Sequence, residues 1–385
     1  MKKFYEFFAG GGMARAGLGS KWRCLFANDA DEKKIESYQE NWPYGPEPKH
    51  ENVANLSIED LPGQADLAWA SFPCQDLSQA GNGLGLNGER SGAFWSFWRL
   101  MQDLKNAGRA PQIIALENVC GTISSHGGKD FGAIAKAFAR AGYRFGAVVI
   151  DAKKFVPQSR PRLFFIATNK SQIPRRLTAN EPDPQWHTTQ LQGAVAKLGR
   201  TTRASWVWWR LPTPPARKET FSDLIQSRPT RTIWHSAAET RRLMAMMTSV
   251  NRAKVIQAKE SRERKVGSIY RRRRPDENGK KHQRAEVRFD DVAGCLRTPV
   301  GGSSLQTILV VKGKQSLRSR LLSPREAARL MGLDDNYILP KNNYDAYFLL
   351  GDGLVVDVVR FLSKNLLYPL LGTRRPRARQ KSGVL

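Results

Sequence analysis

The chain has 385 residues, 41% of them apolar, and a formal net charge of +27. That size and apolar content exclude a disordered chain or a small stapled module and predict two or three domains around a substantial core. A charge so far from zero points to a polyanionic partner, most simply nucleic acid, with an anionic membrane surface as the competitor. No segment offers about 18 consecutive apolar residues, and Met1-Lys2-Lys3 runs into a strand rather than a hydrophobic leader, so a cytoplasmic protein is expected. Cys24, Cys74, Cys120 and Cys295 lie far apart, with no C-x-x-C and no companion histidine at ligand spacing. Neither a disulfide framework nor a metal site is expected, and the thiols stay reduced.

In chain order, residues 3–8 read as a strand, and Ala9-Gly10-Gly11-Gly12-Met13 opens a helix. Strand, glycine turn and helix make a nucleotide-site entrance, because glycines let backbone N–H groups approach a ligand. Arg15 stands where a strict G-x-G-x-x-G would have its third glycine, so the turn is unspecific by itself. A second apolar stretch ends in Asn28-Asp29. Asp29 lies roughly twenty residues past the turn, where a carboxylate accepts both ribose hydroxyls of an adenosine; the alternative is an N-cap for a helix over residues 32–41. Asn52-Val53 follows the next strand position and suits either an adenine edge or an ordinary turn.

The stretch Ala70-Ser71-Phe72-Pro73-Cys74-Gln75 comes next, at the end of a strand over residues 66–72. Pro73 stops the strand and delivers the Cys74 thiol into a polar loop, unlike a structural cysteine inside an apolar run. Residues 75–92 hold five glycines and three charged residues, the composition of a mobile lid or of a plain surface connection. Residues 94–104 read as a helix, and the buried strand that follows ends in Glu117-Asn118-Val119. A carboxylate at the C-terminal edge of a parallel strand sits where open α/β sheets bind ligands, so Glu117 and Cys74 are expected to face one crevice. A helix over residues 131–141 and a strand over 145–151 lead to Gln158-Ser159-Arg160-Pro161-Arg162, whose two arginines at i and i+2 point the same way, toward an anion or a base carbonyl.

With these residues in place the chain resembles the DNA (cytosine-5)-methyltransferase family. The resemblance assigns Phe8-Ala9-Gly10-Gly11-Gly12 to S-adenosylmethionine, Pro73-Cys74-Gln75 to the nucleophile motif, Glu117-Asn118-Val119 to base binding, and Gln158-x-Arg160-x-Arg162 to the organisation of the pocket. Leu296-Arg297-Thr298-Pro299 with Gly301-Gly302, and Gly351-Asp352-Gly353-Leu354-Val355, resemble the last two motifs in their usual order. Three positions depart from the family pattern. Asn52 replaces an aspartate, Ala30 a bulky residue over the adenine, and Asp352 an asparagine.

The resemblance implies a doubly wound α/β fold with a mostly parallel sheet and a smaller, irregular target-recognition domain. Residues 1–173 and 290–372 are expected to form the catalytic domain, 174–289 the recognition domain, and 373–385 a disordered basic tail. Between Arg252 and Arg284 there are thirteen Lys/Arg against four Asp/Glu, so Arg271 and Arg272 are expected on DNA phosphates. Trp206, Trp208 and Trp209 are expected in a domain core. A helix capped by Ser323 with Pro324 at its first position, and an apolar helix over residues 354–366 beside the first helix, complete the chain.

The implied chemistry is methyl transfer from S-adenosylmethionine to carbon 5 of a flipped cytosine in duplex DNA, with no metal. Cys74 is the nucleophile at carbon 6 and Glu117 shares a proton with ring nitrogen 3; Arg162 holds the base carbonyl and Arg160 orients the loop. Phe8, Ala9, Gly10, Gly12, Asp29, Asn52, Val53, Pro73, Asp352 and Gly353 hold the cofactor, and Pro73, Asn118 and Gln158 adjoin the base. A monomer is expected, with a cognate restriction endonuclease in the same system. The rivals are a tRNA cytosine methyltransferase, a nicotinamide-dependent oxidoreductase motivated by the glycine turn and Asp29, and a catalytically silent DNA-binding protein. The oxidoreductase leaves Glu117, Gln158 and Arg162 unexplained.

Overall fold

The computed structural model describes residues 1–73, 93–261, 263–276, 279–300, 305–313 and 316–372. Cys74 with the 75–92 loop, the Gly301-Gly302 pair and the 373–385 tail lie outside the described residues.

The N-terminal half alternates strands and helices: β1 (Lys2–Phe7), α1 (Met13–Leu18), β2 (Trp22–Asp29), α2 (Glu32–Asn41), β3 (Lys49–His50), β4 (Leu67–Ala70), α3 (Ala93–Asn106), β5 (Ile113–Val119), α4 (Lys129–Arg140), β6 (Arg144–Asp151) and β7 (Pro161–Thr168). The seven strands form one sheet in the order β3-β2-β1-β4-β5-β7-β6. All run parallel except β7, which is antiparallel to both β5 and β6. Alternation sorts each strand between two cores, as the period of two requires. Phe4, Trp69, Ile113, Ala115, Phe164 and Ile166 pack on one face, and Tyr5, Phe7, Ala68, Ile114, Leu116 and Phe165 on the other. Since β5 alternates, Glu117 falls on the face of Ile113 and Ala115, the face on which Arg162 leaves β7.

The chain continues through β8 (Thr178–Ala179), α5 (Thr189–Ala196), α6 (Arg200–Ala204) and β9 (Trp208–Trp209). These pieces stay on the large sheet. Trp206 packs on Phe145, and the Trp209 indole donates to the Ile166 carbonyl at 3.2 Å. The tryptophans are therefore core of the catalytic sheet, and the expected boundary at residue 174 comes before the chain leaves that sheet. Next follow α7 (Phe221–Leu224), α8 (Ala237–Ala245), α9 (Ser249–Glu260), β10 (Arg264–Pro275), β11 (Lys281–Arg288), β12 (Thr307–Lys312) and β13 (Ser316–Leu321). Strands β11-β10-β12-β13 make a separate antiparallel sheet with its own core, where Leu243, Met247 and Val255 meet Ile269, Val287 and Val311. The expected boundary at residue 289 thus cuts this sheet, because β12 pairs with β10 from beyond it and β13 pairs with β12.

The C-terminal part returns to the large sheet as α10 (Pro324–Leu330), α11 (Asn343–Asp352), α12 (Val356–Leu362) and α13 (Tyr368–Leu371). Helix α12 lies against α1, and a Cβ at Gly17 would overlap the Val359 side chain and the Val356 carbonyl. Ser323 caps α10 through a reciprocal box with Glu326, with Pro324 in the first turn. Glu326 also pairs with Arg320 of β13 through two bonds of 2.6 and 2.7 Å, both side chains fully buried. That pair joins the small sheet to the returning helices. Removing one partner strands a buried charge, so Arg320→Ala is expected to lower the unfolding free energy by about 3–5 kcal/mol. Urea denaturation measures it, and a loss under about 1 kcal/mol would mean the pair does not hold the junction.

Candidate active site

A cavity of about 980 Å³ opens at the edge where the parallel strands end. The turn after β1 forms one wall. Phe8 and Gly10 take positive φ angles of 56° and 54° there, and Phe8, Ala9, Gly10 and Gly11 all face the space. Gly12 does not line it: a Cβ there would overlap Trp42 and its φ is 76°, so this glycine serves close packing and the turn, not cofactor contact. The backbone N–H groups of the turn are largely spent internally. Ala9 N donates to Asn28 O at 2.8 Å, Gly10 N to Asp29 Oδ2 at 2.9 Å and Gly12 N to Ala9 O at 2.9 Å.

Asp29, at the end of β2, holds the turn with Oδ2 and the Asp31 N–H with Oδ1. It is not the cap of α2; Asp31 takes that role, accepting from Lys33 and Lys34. Asn52 and Val53 lie on the same side of the cavity, and the Asn52 Oδ1 caps a short turn at Ala54 N, 3.0 Å. Ala30 and Asp31 also line it. On the opposite wall are Asp352 and Gly353, and Asp352 Oδ2 is 3.0 Å from Lys34 Nζ of α2.

At the other end Glu117 Oε1 is 3.1 Å from Arg162 Nε. Glu117 is buried, and burial raises its pKa against the opposing pull of Arg162 and Arg160. Pro73, Asn118, Arg160 and Arg162 line the same space. Asn118, however, points its amide at the backbone: Nδ2 donates to Phe72 O at 3.1 Å, and Oδ1 accepts from Val119 N and Thr122 Oγ1. It ties β5 to the last residues before Cys74 and is a positioning residue.

One sequence assignment needs correction. Gln158 is fully buried and outside the cavity; its amide donates to Leu330 O at 2.7 Å and its carbonyl oxygen accepts from Leu296 N at 3.0 Å. It clamps the returning chain instead of touching a base. Arg160 donates to the carbonyls of Leu296, Gly351 and Gly353 at 2.7 to 2.9 Å, so it positions the Gly351-Asp352-Gly353 turn; its expected part in orienting the Cys74 loop falls outside the described residues. Its Nη1 is also 3.3 Å from Cys295 Sγ. Burial opposes ionisation of that thiol, but Arg160 and Arg162 outweigh burial and hold it below the ordinary thiol range. At Cys120 burial outweighs the pull of Arg162, and the carboxylates of Asp151 and Glu117 add to it, so the thiol is pushed up to about 11.

The arginine run occupies β10, so its members alternate faces. Arg272 and Arg274 share one face with Glu286, at 3.7 and 2.7 Å, while Arg271 and Arg273 take the other. Arg271 and Arg272 therefore point to opposite faces of the hairpin. The middle of the strand packs against the chain before β12, since a Cβ at Gly294, beside Cys295, would overlap the Tyr270 hydroxyl.

Sequence reasoning missed Glu6, Asn28 and Lys34, all of which line the cavity. Glu6 had a signal, a lone charge in the run Phe4-Tyr5-Glu6-Phe7-Phe8. Its carboxylate accepts from Arg15 N and Tyr38 OH, and burial pushes it up to about 7. Asn28 is buried with its Oδ1 lacking a hydrogen-bond partner, an acceptor left for a ligand hydroxyl or amine. Carboxylates for hydroxyls and cations, an orphaned amide oxygen and a glycine wall together fit an adenosine that carries a sulfonium. Among the described residues no cluster of His, Cys, Asp and Glu could hold a metal ion, and no helix is long and apolar enough to cross a membrane.

The doubly wound sheet with one reversed strand, and a cavity at its C-terminal edge, define an S-adenosylmethionine-dependent methyltransferase class of fold. Residues 2–367 match the family model described as C-5 cytosine-specific DNA methylase, and the chain belongs to that family. It is an enzyme of DNA cytosine carbon-5 methylation. Type II methyltransferase M1.ScrFI of Lactococcus lactis subsp. cremoris is 23% identical over 371 residues, covering 95% of this chain and 78% of that protein. Type II methyltransferase M.NlaX of Neisseria lactamica is 25% identical over 370 residues, 95% of this chain and 96% of that one. Among solved structures, the Entamoeba histolytica methyltransferase EhMeth superposes with a TM-score of 0.62 at 15% identity, over 97% of this chain and 99% of that chain, a likeness of fold.

Glu6 makes the stability of the fold depend on pH. An unfolded glutamate loses its proton near 4.5, whereas the folded one keeps it to about 7, so its contribution is full below 4.5 and is lost as pH rises to 7. Glu6→Gln mimics the protonated form. The variant is expected to match the parent near pH 4.5 and to exceed its stability by about 3 kcal/mol above pH 7, because a tenfold difference in proton affinity is worth about 1.36 kcal/mol. Unfolding by urea at both pH values checks this, and a pH-independent difference would refute it.

Proposed function

We propose that the protein binds S-adenosylmethionine along the glycine turn, Asp29 and Asn28, and methylates a cytosine held between Glu117 and Arg162 in a specific duplex DNA sequence. The observation that carries this reading is the 3.1 Å pairing of a buried glutamate with an arginine at the edge of the sheet, next to the strand end that leads into Pro73-Cys74. Bound there, the cofactor supplies an electrophilic methyl group to carbon 5.

Carbon 5 is a weak nucleophile, and the Cys74 thiolate overcomes this by adding to carbon 6 and driving electron density onto the ring. Glu117, whose pKa burial raises, shares a proton with ring nitrogen 3 and offsets that density. Arg162 holds Glu117 in position and offers its remaining donors to the base carbonyl. Loss of the carbon-5 proton and elimination of Cys74 then restore the aromatic ring. Carbon 6 is out of reach within a duplex, so the base leaves the stack at a cost of roughly a few kcal/mol. Asn118 and Trp69 support the approach to Cys74. Asn118 ties Phe72, and the Trp69 indole donates to Ser71 Oγ at 3.0 Å.

The four-stranded sheet with α8 and α9 is assigned to target recognition, residues 1–211 with the returning helices to catalysis. Its hairpin carries the Arg271–Arg274 run toward phosphates. The relatives are Type II methyltransferases, which supports a restriction-modification context with a cognate endonuclease; a monomeric, cytoplasmic enzyme is part of the same reading. Labelled S-adenosylmethionine with plasmid DNA or tRNA tests the substrate: label in DNA is expected, and label in RNA alone would reject the reading.

Cys74→Ser is expected to abolish covalent trapping by DNA containing 5-fluorocytosine, and continued trapping would remove Cys74 from its role. Glu117→Gln is expected to lower kcat about 10²–10⁴-fold while DNA binding persists. Replacing Arg271 and Arg272 by alanine separately should reduce the slope of log affinity against log salt by about 1 for whichever of them meets a phosphate. Unchanged slopes in both would take the hairpin off the DNA.

A further inference from the structure

If the cavity holds S-adenosylmethionine, as the reading above has it, the methionyl tail brings an α-carboxylate into an acidic wall. Glu6, Asp29, Asp31, Glu51 and Asp352 line the cavity. Something must meet the anion. The glycine turn is poorly placed to do so, because Ala9, Gly10 and Gly12 have given their N–H groups to Asn28, Asp29 and Ala9. The six-residue helix after the turn is too short to act as an anion site.

Of the basic side chains lining the cavity among the described residues, Arg162 is paired with Glu117, and both Nη atoms of Arg160 are occupied by backbone carbonyls. Lys34 is the third. Its side chain is 16% exposed, and its ammonium lies 3.0 Å from the half-exposed Asp352 carboxylate and 5.4 Å from the centre of the Phe348 ring. Asp352 stands where the family pattern has a neutral asparagine, so this chain has placed an opposite pair of charges at the rim.

We propose that the Lys34–Asp352 pair is a receptor for the amino-acid end of the cofactor, in which Lys34 takes the α-carboxylate and Asp352 the α-ammonium. A zwitterion exchanges partners with an ion pair without leaving any charge uncompensated. The exchange therefore avoids the penalty that a lone buried charge would incur. It also accounts for the presence of both charged residues, since Asp352 alone would repel the carboxylate and Lys34 alone the ammonium.

The test is calorimetric binding of S-adenosylmethionine and of its decarboxylated analogue, which lacks only the carboxylate, to the full chain. Lys34→Met should weaken S-adenosylmethionine about 10- to 100-fold, the range of one charge-assisted hydrogen bond, while changing the analogue by less than about threefold. Lys34→Arg should restore the difference. The double variant Lys34→Met with Asp352→Asn leaves no unpaired charge and guards against a folding defect; it should still fail to prefer S-adenosylmethionine over the analogue. If the double variant regains the parent's preference, or if Lys34→Met weakens both ligands equally, Lys34 merely neutralises Asp352 and the proposal falls. Failure of the parent protein to bind S-adenosylmethionine at all would instead overturn the reading of the cavity.

Discussion

Glu117 and Arg162 come from segments that meet only because β7 runs against its neighbours. A parallel strand would start at the far edge of the sheet and bring its first residues to the wrong end of β5. Reversed, β7 starts beside the C-terminal end of β5, with Arg162 opposite Val119 and Phe164 opposite Glu117. The diagonal on one face then sets guanidinium against carboxylate at 3.1 Å. Burial of that pair keeps the glutamate's pKa high while the arginine keeps it oriented, which is the balance a proton-sharing carboxyl requires.

The cavity is acidic although the protein is strongly basic. Its described lining contains six carboxylates, Glu6, Asp29, Asp31, Glu51, Glu117 and Asp352, against Lys34, Arg160 and Arg162, while the whole chain carries +27. The two fields serve different ligands. A basic exterior raises the local concentration of a polyanion and does so over a Debye length of about 10 Å at 0.1 M salt. A recessed acidic lining favours a cation bearing a sulfonium over the neutral thioether left after methyl transfer, which aids exchange of product for fresh cofactor. Glu6 adjusts this field, because burial brings its ionisation to about 7, and a cationic ligand nearby favours the charged form.

Much of this was legible from sequence because local rules produce it. The glycine turn, a strand leading toward Pro73 (though it already ends at Ala70), the capping of α10 by Ser323 and the contact between the first helix and the last long one follow from spacing and propensity. Asp29 sits at the cavity, as its spacing from the turn suggests, but it is not a cap, since Asp31 is two residues nearer to the helix and competes better for its first N–H groups. What escaped was long-range. Nothing near Lys34 in sequence announces Asp352, 318 residues later. The reversal of β7 leaves no trace in an apolar run whose two faces are both buried. The four-stranded sheet crossed its expected boundary for a similar reason, because a strand's partner is set by register across the chain and not by composition around it.

The residues of the Gln158-x-Arg160-x-Arg162 motif divide their labour in a way that binds the chain's two ends together. Arg162 faces the cavity, whereas the Gln158 amide and both Nη atoms of Arg160 are taken up by the backbone of Leu296, Leu330, Gly351 and Gly353. Buried donors of that kind are costly to leave unmade, about 1–3 kcal/mol each and more for a guanidinium. The first 173 residues therefore contain a sheet and half a cavity but not a stable site. Asp352, Gly353 and the 2.7 Å bond from the Tyr337 hydroxyl to Gly11 O close the other half. Docking of the last third is thus a condition for cofactor binding. The four-stranded sheet, inserted between the two halves and joined to α10 by the buried Arg320–Glu326 pair, is fixed in place by the same step that closes the cavity.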